Sequence, residues 1–305
     1  MSTLAGIAVL AAGVVLVIGA AEAFVDGLLG AGRRLGVAPF VLTVALSGFE
    51  LENLAAGIAA NAKGLPGAAA GTFLGGVVFL ALAVAGLGGL IAPMPVDLPR
   101  RFAAWTAIAP LPLFLAGVDG RISRLEGGGL IVWFGIALVG AARAGRELLA
   151  GREEDRVRRP FARLLIGLVG LTGGGWLLGA GLDAVVRNAG VSPTLLGNTA
   201  LAASVEAEEL ARVAVPARRG RAELALGNIA GTIIHFAALN AGVIALVEPL
   251  SLDRDTTRFF LPAATVAPAI FAALLVVRRR IGRLEGAALV ALYAAYLVAA
   301  VAIGT

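Results

Sequence analysis

Long apolar stretches are the feature that most constrains the fold of this chain. Predominantly apolar segments recur along its 305 residues, and they are about 20 residues long, the length that a helix needs to cross a bilayer. Residues are 59% hydrophobic and only 15% charged, whereas a soluble domain carries about 25% charged residues. The sequence therefore predicts an all-α, polytopic membrane protein.

The apolar segments predict ten transmembrane helices joined by short loops. Their expected bounds are 4–30, 38–62, 66–93, 102–119, 125–148, 162–186, 194–217, 222–248, 257–277 and 283–303. Basic residues concentrate in the loops after the odd-numbered spans, and the positive-inside rule places those loops in the cytoplasm. We therefore expect a multi-pass protein of the cell membrane with both termini outside. Its arginines follow membrane topology and do not indicate nucleic-acid binding, and its oligomeric state is left open.

The two halves of the chain repeat one another. Residues 50–79 align with 206–235 without a gap, and the Arg-Leu-Glu-Gly block at 124–127 aligns with that at 283–286. Matched blocks in the same order indicate a duplication. Five spans per half give the two halves opposite orientations, which is the inverted-repeat design of secondary transporters.

This duplication predicts the domain organisation. We expect a first five-helix repeat at 1–148, a cytoplasmic linker at 149–161 and a second five-helix repeat at 162–305. The Arg-Leu-Glu-Gly blocks are expected to form Arg–Glu pairs where helices begin.

Acidic residues lie inside spans 2 and 7, at equivalent places in the two repeats. With one amide they form the expected ion-binding set: Glu50, Glu52, Asn53, Glu206, Glu208 and Glu209. A carboxylate at membrane depth costs about 2.5–3.5 kcal/mol on insertion scales, so it predicts a functional site. Clustered carboxylates repel one another, and bound metal ions or protons relieve that repulsion. We expect Glu50, Glu206 and Glu209 to ligate metal.

Helical spacing sorts these side chains into faces. Glu206 and Glu209 share a face, as do Glu50 and Asn53, because residues three apart are neighbours on a helix. The remaining acids, Glu52 and Glu208, point nearly the other way, and either face could meet the ion unless the helix unwinds there. The structural alternative is that some of these acids lie near the membrane surface or pair with Arg212.

Polar residues in spans 3 and 8 supply further candidates. Thr72, Asn228 and Thr232 offer the oxygen ligands that hard cations prefer. His235 is either a packed, hydrogen-bonded side chain or a proton relay. Glycines at 71, 75, 227 and 231 either let a backbone approach the acids or only pack helices.

Several kinds of chemistry are excluded. The chain has no cysteine and one histidine, which excludes thiolate metal sites and disfavours a histidine-based zinc or haem centre. It has no nucleotide-binding Walker motif and no nucleophile–base pattern of an enzyme. We therefore expect no cofactor and no enzymatic activity.

The two acidic segments resemble the α-repeats of the cation/calcium exchanger superfamily, the sodium/calcium exchanger membrane-region family. The second half reads AGVSPTLLGNTALAASVEAEE and then LGNIAGTI, and the first half reads LGVAPFVLTVALSGFELEN. The resemblance places Glu209 on the ion-binding Glu of the family, Glu206 on a motif Ser and Thr232 on a second motif Ser. It implies ten helices in two inverted repeats, with ions bound between spans 2, 3, 7 and 8 while spans 1 and 6 slide across them.

The implied function is secondary-active antiport of Ca²⁺, or another divalent cation, for Na⁺ or H⁺ by alternating access. Apolar residues replace polar positions of the family motif at Val77, Ile233, Leu80 and Phe236, which implies a rearranged ion site. Two alternatives stay open: a proton/cation exchanger without a sodium site, and a non-transporting membrane scaffold that retains the fold.

Overall fold

The computed structural model describes residues 2–47, 50–95, 98–145, 157–188 and 207–304. The chain is mostly helical, as predicted. In chain order the helices are α1 (Thr3–Leu35), α2 (Pro39–Leu46), α3 (Leu51–Ala62), α4 (Pro66–Ile91), α5 (Arg100–Ile108), α6 (Leu111–Gly117), α7 (Arg124–Gly145), α8 (Pro160–Asn188), α9 (207–218), α10 (Ala222–Val247), α11 (Thr256–Val277) and α12 (Arg283–Gly304). Four two-residue strands are β1 (Met94–Pro95), β2 (Arg121–Ile122), β3 (Leu250–Ser251) and β4 (Arg280–Ile281).

Seven helices of the described ranges are long and apolar enough to cross a membrane, namely α1, α4, α7, α8, α10, α11 and α12. Each begins and ends within a few residues of a predicted span. Large aliphatic side chains on them are exposed, for example Val15 at 73%, Val169 at 63% and Val298 at 71%. Such apolar outer faces are expected where helices contact lipid.

Two predicted spans consist of two shorter helices each, and a third lies partly outside the described residues. Span 38–62 contains α2 and α3, with Ser47 and Glu50 between them outside any helix, and span 102–119 contains α5 and α6, which are separated at Ala109 and Pro110. Proline lacks a backbone N–H, so it cannot continue the hydrogen-bond ladder of α5. Span 194–217 lies outside the described residues up to residue 206, and its remainder is α9.

Two long helices, one from each half of the chain, match in their bounds. α4 and α10 align end to end, and each contains a π-helical turn at the same place, Phe79–Val84 in α4 and His235–Asn240 in α10. π-helical turns are rare and frequently occur at functional sites. Strand β1 pairs antiparallel with β4, and β2 pairs antiparallel with β3. Each pair joins a strand of the first half to one of the second.

The chain divides into two compact units, and each unit takes segments from both halves of the sequence. Unit A contains Met1–Pro39 and Gly151–Arg221, and unit B contains Phe40–Ala150 and Ala222–Thr305. The predicted repeats at 1–148 and 162–305 therefore each contribute helices to both units.

Glycines bring helices together within each unit. In unit A, a Cβ at Gly27 of α1 would lie 2.5 Å from the Leu164 nitrogen of α8, and a Cβ at Gly167 of α8 would lie 2.6 Å from the Phe24 nitrogen of α1. In unit B, a Cβ at Gly127 of α7 would lie 2.8 Å from the carbonyl oxygen of Gly242 in α10. Small residues allow this close approach, which supplies packing between helices inside a bilayer.

Candidate functional site

The acidic residues of span 2 lie where that span is interrupted. Glu50 immediately precedes α3, and its backbone is not helical, with φ −96° and ψ 77°. Its carboxylate Oε2 accepts a hydrogen bond from Asn53 Nδ2 at 2.5 Å, and both side chains are half-buried. Glu52 is exposed on the first turn of α3. The structure therefore brings Glu50 and Asn53 together, as the spacing predicts, and separates Glu52 from them.

The end of α2 packs closely against α10 at Gly231. A Cβ at Gly231 would lie 2.6 Å from the Val44 carbonyl oxygen and 2.9 Å from the Val44 Cα. Ser47, which follows α2, is fully buried, and its Oγ donates to the same carbonyl at 3.4 Å. Gly231 therefore packs α10 against the end of α2, and a role in letting a backbone approach the acids stays a prediction.

The corresponding glycines of α4 have a different environment. Within the described ranges, no atom lies within 4 Å of a Cβ built at Gly71 or Gly75. The second-half segment equivalent to α2 falls at 193–202, which lies outside those ranges. Their role therefore stays a prediction.

Polar side chains of α10 form a buried row beside Gly231. Thr232 and His235 are fully buried and Asn228 is 1% exposed. Thr232 Oγ1 donates to the Asn228 carbonyl oxygen at 3.1 Å, and His235 Nδ1 donates to the Gly231 carbonyl oxygen at 2.8 Å. The imidazole also packs edge-on against Phe134, with ring centroids 4.7 Å apart. His235 thus has the packed, hydrogen-bonded environment that was the first of its two predicted roles.

Thr72 occupies a comparable place on α4. Its Oγ1 donates to the Ala69 carbonyl oxygen at 2.7 Å, and a Cβ at Gly57 of α3 would lie 2.8 Å from that hydroxyl. The hydroxyl therefore faces α3, the helix that begins after Glu50.

The acids of span 7 are engaged by an arginine on their own helix. Arg212 Nη1 donates to Glu209 Oε1 at 2.8 Å, and Arg212 Nη2 donates to Glu208 Oε1. Glu209 is 3% exposed and Arg212 is 5% exposed, and the guanidinium lies 6.0 Å from the centroid of the Phe24 ring. Positions three and four apart on a helix are neighbours, which explains how one arginine reaches both acids.

This arrangement is the structural alternative considered for the second cluster. A buried carboxylate is costly without a partner, and the guanidinium offsets that cost for two carboxylates at once. Glu206, the third predicted acid, lies outside the described residues. Within the described ranges, no group of three or more histidine or acidic side chains is arranged to hold a metal ion.

Unit A contains a second ionic cluster near the end of α9. Asp26 of α1 accepts hydrogen bonds from Arg163 of α8 at 2.5 Å and from Arg219 at 2.8 Å. Glu22 lies 3.7 Å from Arg219. These side chains are partly exposed, so the cluster ties three segments of unit A together near a surface.

The predicted Arg–Glu pair at a helix entry is seen for the second Arg-Leu-Glu-Gly block, whereas the glutamate of the first block has other partners in the described ranges. Glu126 accepts hydrogen bonds from the backbone and hydroxyl of Ser123, both at 2.7 Å. In the second block Glu285 pairs with Arg278 at 3.0 Å rather than with Arg283. Each glutamate folds back onto the residues that precede its helix, because those positions carry the unsatisfied N–H groups.

Two buried asparagines were missed by the sequence analysis. Asn61 of α3 donates to the Glu248 carbonyl oxygen at 2.8 Å, which links α3 to the end of α10. Asn240 closes the π-helical turn of α10 and is 2% exposed, and its Nδ2 has no hydrogen-bond partner in the described part of the chain. The sequence contained an indication of Asn240, because this polar residue occupies the position at which the first half has the apolar Val84.

Comparison with known proteins agrees with this architecture. The chain is 29% identical to the putative antiporter CaxA of Alkalimonas amylolytica, over 93% of this chain and 95% of that protein. It is 27% identical to the inner membrane protein YrbG of Escherichia coli strain K12, over 81% of each chain. Among solved structures, the sodium-calcium exchanger NCX_Mj soaked with zero Na⁺ and Ca²⁺ superposes with a TM-score of 0.82 at 23% identity, over 97% of this chain and 98% of that one. That likeness shows a common fold.

The sequence profile of one family matches nearly the whole chain. The profile describes the sodium/calcium exchanger protein, and it matches residues 5–142 and 160–302. The chain therefore belongs to the sodium/calcium exchanger family, whose members are membrane cation antiporters and not enzymes.

Proposed function

We propose that this protein exchanges Ca²⁺, or another divalent cation, for Na⁺ or H⁺ by alternating access. Family membership supports cation antiport. The identity of the exchanged ions and the residues that bind them are proposed in addition. The observation that carries it is the interruption of span 2, where the Glu50 carboxylate and the Asn53 amide meet at the start of α3. Transporters of inverted-repeat design bind ions at such discontinuous helices, where carbonyl groups and carboxylates are free to coordinate.

The proposed topology is ten helices in two inverted five-helix repeats, at 1–148 and 162–305, with the linker at 149–161 in the cytoplasm and both termini outside. The matched bounds of α4 and α10 and the matched π-helical turns support the repeat. The concentration of arginines after odd-numbered spans supports the orientation.

The proposed ligands of the first repeat are Glu50 and Asn53. The candidates of the second repeat are Thr232 in unit B and, within unit A, Glu206 and Glu209. Glu52 is the weaker candidate of the first repeat because its side chain is exposed and apart from Glu50.

Arg212 limits the binding of cations at Glu209. A cation that binds Glu209 has to compete with a guanidinium 2.8 Å from its carboxylate, since two positive charges at that distance repel strongly in a buried site. In the conformation described here, Arg212 therefore occupies the position of a monovalent counter-ion for Glu208 and Glu209. Ion binding at Glu209 would require Arg212 to move away.

The ion pair between Arg212 and Glu209 favours the rival coupling scheme, a proton/cation exchanger without a sodium site. The guanidinium on the same helix neutralises the carboxylates, and charge neutralisation is one of the roles that bound Na⁺ would have. The apolar side chains of Ile233 and Phe236 beside Thr232 and His235 also remove oxygen ligands from α10, and hard cations need such ligands.

Flux measurements in proteoliposomes distinguish these schemes. Uptake of radioactive Ca²⁺ is followed with an outward gradient of Na⁺, of H⁺ or of neither, for the wild type and for Glu209→Gln. We expect uptake only when a counter-ion gradient is present, and slower uptake in the variant. Uptake driven by H⁺ alone would establish the rival scheme, and no uptake of any divalent cation by folded protein would leave the scaffold alternative.

A further inference from the structure

A cavity lined by arginines lies between α5 and α7 in unit B. Its volume is about 650 Å³, and it is lined by Pro99, Arg100, Arg101, Trp105, Gly140, Arg143 and Ala144. Sites for small molecules typically have volumes of about 300–1,000 Å³. The cavity is separate from the acidic residues discussed above, and nothing in the proposed transport cycle uses it.

The charge of this cavity is positive and uncompensated within the described ranges. Arg100 and Arg101 open α5, and Arg143 lies in the last turn of α7. No carboxylate of the described part of the chain forms an ion pair with any of the three. Three arginines that line one cavity therefore suit an anion with several oxygen atoms, because each guanidinium can donate two parallel hydrogen bonds.

Trp105 forms one wall of the cavity and packs against Gly140. A Cβ at Gly140 would lie 2.7 Å from the Cδ2 atom of Trp105, so the indole packs directly on the α7 backbone. Trp105 is also held by Trp133, with ring centroids 6.0 Å apart, and Trp133 Nε1 donates to the Ala109 carbonyl oxygen at 3.0 Å. The cavity is therefore shaped by fixed packing of α5 against α7.

The cavity is not a repeated part of the transport fold. α7 and α12 align end to end, and the residue of α12 equivalent to Arg143 is Ala302, while the equivalent of Gly140 is Ala299. Arg143 and the glycine that contacts Trp105 therefore have no counterpart at the equivalent positions of the second half.

We propose that this arginine cavity binds the phosphodiester group of an anionic membrane lipid. It lies at the ends of two helices, where α5 begins and α7 approaches its last residue, which is the level at which headgroups meet a transmembrane protein. An indole beside it is suited to that level, because tryptophan prefers the boundary between apolar chains and water. Basic pockets between transmembrane helices recognise anionic headgroups by the same chemistry.

The test is lipid binding by the full chain in detergent, measured by native mass spectrometry during titration with phosphatidylglycerol or phosphatidylcholine. We expect phosphatidylglycerol to bind at least about tenfold more tightly than phosphatidylcholine. Arg143→Gln should weaken binding of phosphatidylglycerol about fivefold, the effect of one basic group near a membrane surface. Arg254→Gln removes an exposed arginine outside the cavity and should leave binding unchanged.

A second variant tests whether lipid binding depends on the shape of the cavity when its charge is unchanged. Gly140→Ala keeps every arginine but displaces the Trp105 indole, so it should also weaken phosphatidylglycerol binding. Competition by inorganic phosphate at millimolar concentration identifies the source of the anion, and we expect it to leave lipid binding intact.

Three results would overturn the proposal. One is equal binding of the two lipids. Another is an equal loss of binding in Arg143→Gln and Arg254→Gln, which would reveal attraction to overall charge. The third is displacement of the lipid by phosphate, which would identify a site for a free anion.

Discussion

Removal of the Arg212 guanidinium should destabilise the protein and make its stability depend on cations. Arg212→Gln leaves Glu209, which is 3% exposed, without the partner that lies 2.8 Å away. Removing one member of a buried ion pair typically costs about 3–5 kcal/mol. We expect a loss at the lower end of that range, because Glu208, the other partner, has a side chain that is 12% exposed.

Cations should restore part of this loss. The two carboxylates that lose the guanidinium in Arg212→Gln can bind Ca²⁺ or Na⁺ in its place, and a ligand at 100 times its dissociation constant stabilises a folded protein by about 2.7 kcal/mol. The free energy of unfolding is measured by SDS titration in mixed micelles, with and without each cation. The control is the triple variant with Glu208→Gln and Glu209→Gln, which lacks the charges and should show neither the full loss nor the rescue.

The reasoning is refuted by either of two results. A free energy of unfolding of Arg212→Gln within about 0.5 kcal/mol of the wild-type value would mean that the ion pair contributes little to stability, as exposed pairs do. Cation stabilisation as large in the wild type as in Arg212→Gln would mean that the guanidinium does not compete with cations.

Three further predictions concern other parts of the fold. Gly231→Ala should lower the free energy of unfolding by about 1–3 kcal/mol, because its Cβ would overlap the α2 backbone, whereas Gly135→Ala, which meets no described atom within 4 Å, should be tolerated in the same titration. Asp26→Asn should cost no more than about 1 kcal/mol, because its ion pairs are partly exposed, and this cost should shrink as salt is raised. Asp253 caps α11 by accepting from the Thr256 backbone N–H at 2.7 Å, so Asp253→Ala should cost about 0.5–2 kcal/mol at pH 7. Hydrogen bonds from Thr256 lower the pKa of Asp253 below its ordinary value, so the advantage of the wild type is full above that ordinary value and should disappear as the pH falls through the lowered pKa.

The membrane helices were predictable from sequence because apolar length alone determines whether a segment can cross a bilayer. The interruptions inside 38–62 and 102–119 were not, because average hydropathy does not report where a backbone leaves the helix. Pro110 was a local signal for the second interruption. Ser47 and Gly48 permitted the first without requiring it.

The matching segments of the two halves could be predicted from the sequence, but their detailed geometry could not. Gap-free alignment predicts that α4 and α10 match, whereas the π-helical turns within them have no marker in the residues that form them. Likewise, no sequence pattern indicates that the chain divides into units that each draw on both halves, because that division depends on long-range contacts.

The site was predicted in part. Spacing of three residues identified Glu50 and Asn53 as neighbours, and they contact one another although Glu50 precedes the helix. Pairing of some acids with Arg212 was a structural alternative at the sequence level, which left open whether Glu208 and Glu209 faced an ion or the arginine. The buried environment of α9 favours the ion pair in the conformation described here.

The most direct test of the central proposal compares two acids that are two residues apart. Divalent-cation uptake into proteoliposomes under a counter-ion gradient is measured for Glu50→Gln and Glu52→Gln, with the amount of folded, inserted protein matched. If the cation is coordinated at the break in span 2, Glu50→Gln abolishes uptake, whereas Glu52→Gln retains it because that side chain is exposed. Uptake that survives Glu50→Gln, or that is lost only in Glu52→Gln, contradicts the assignment of the ion to Glu50 and Asn53.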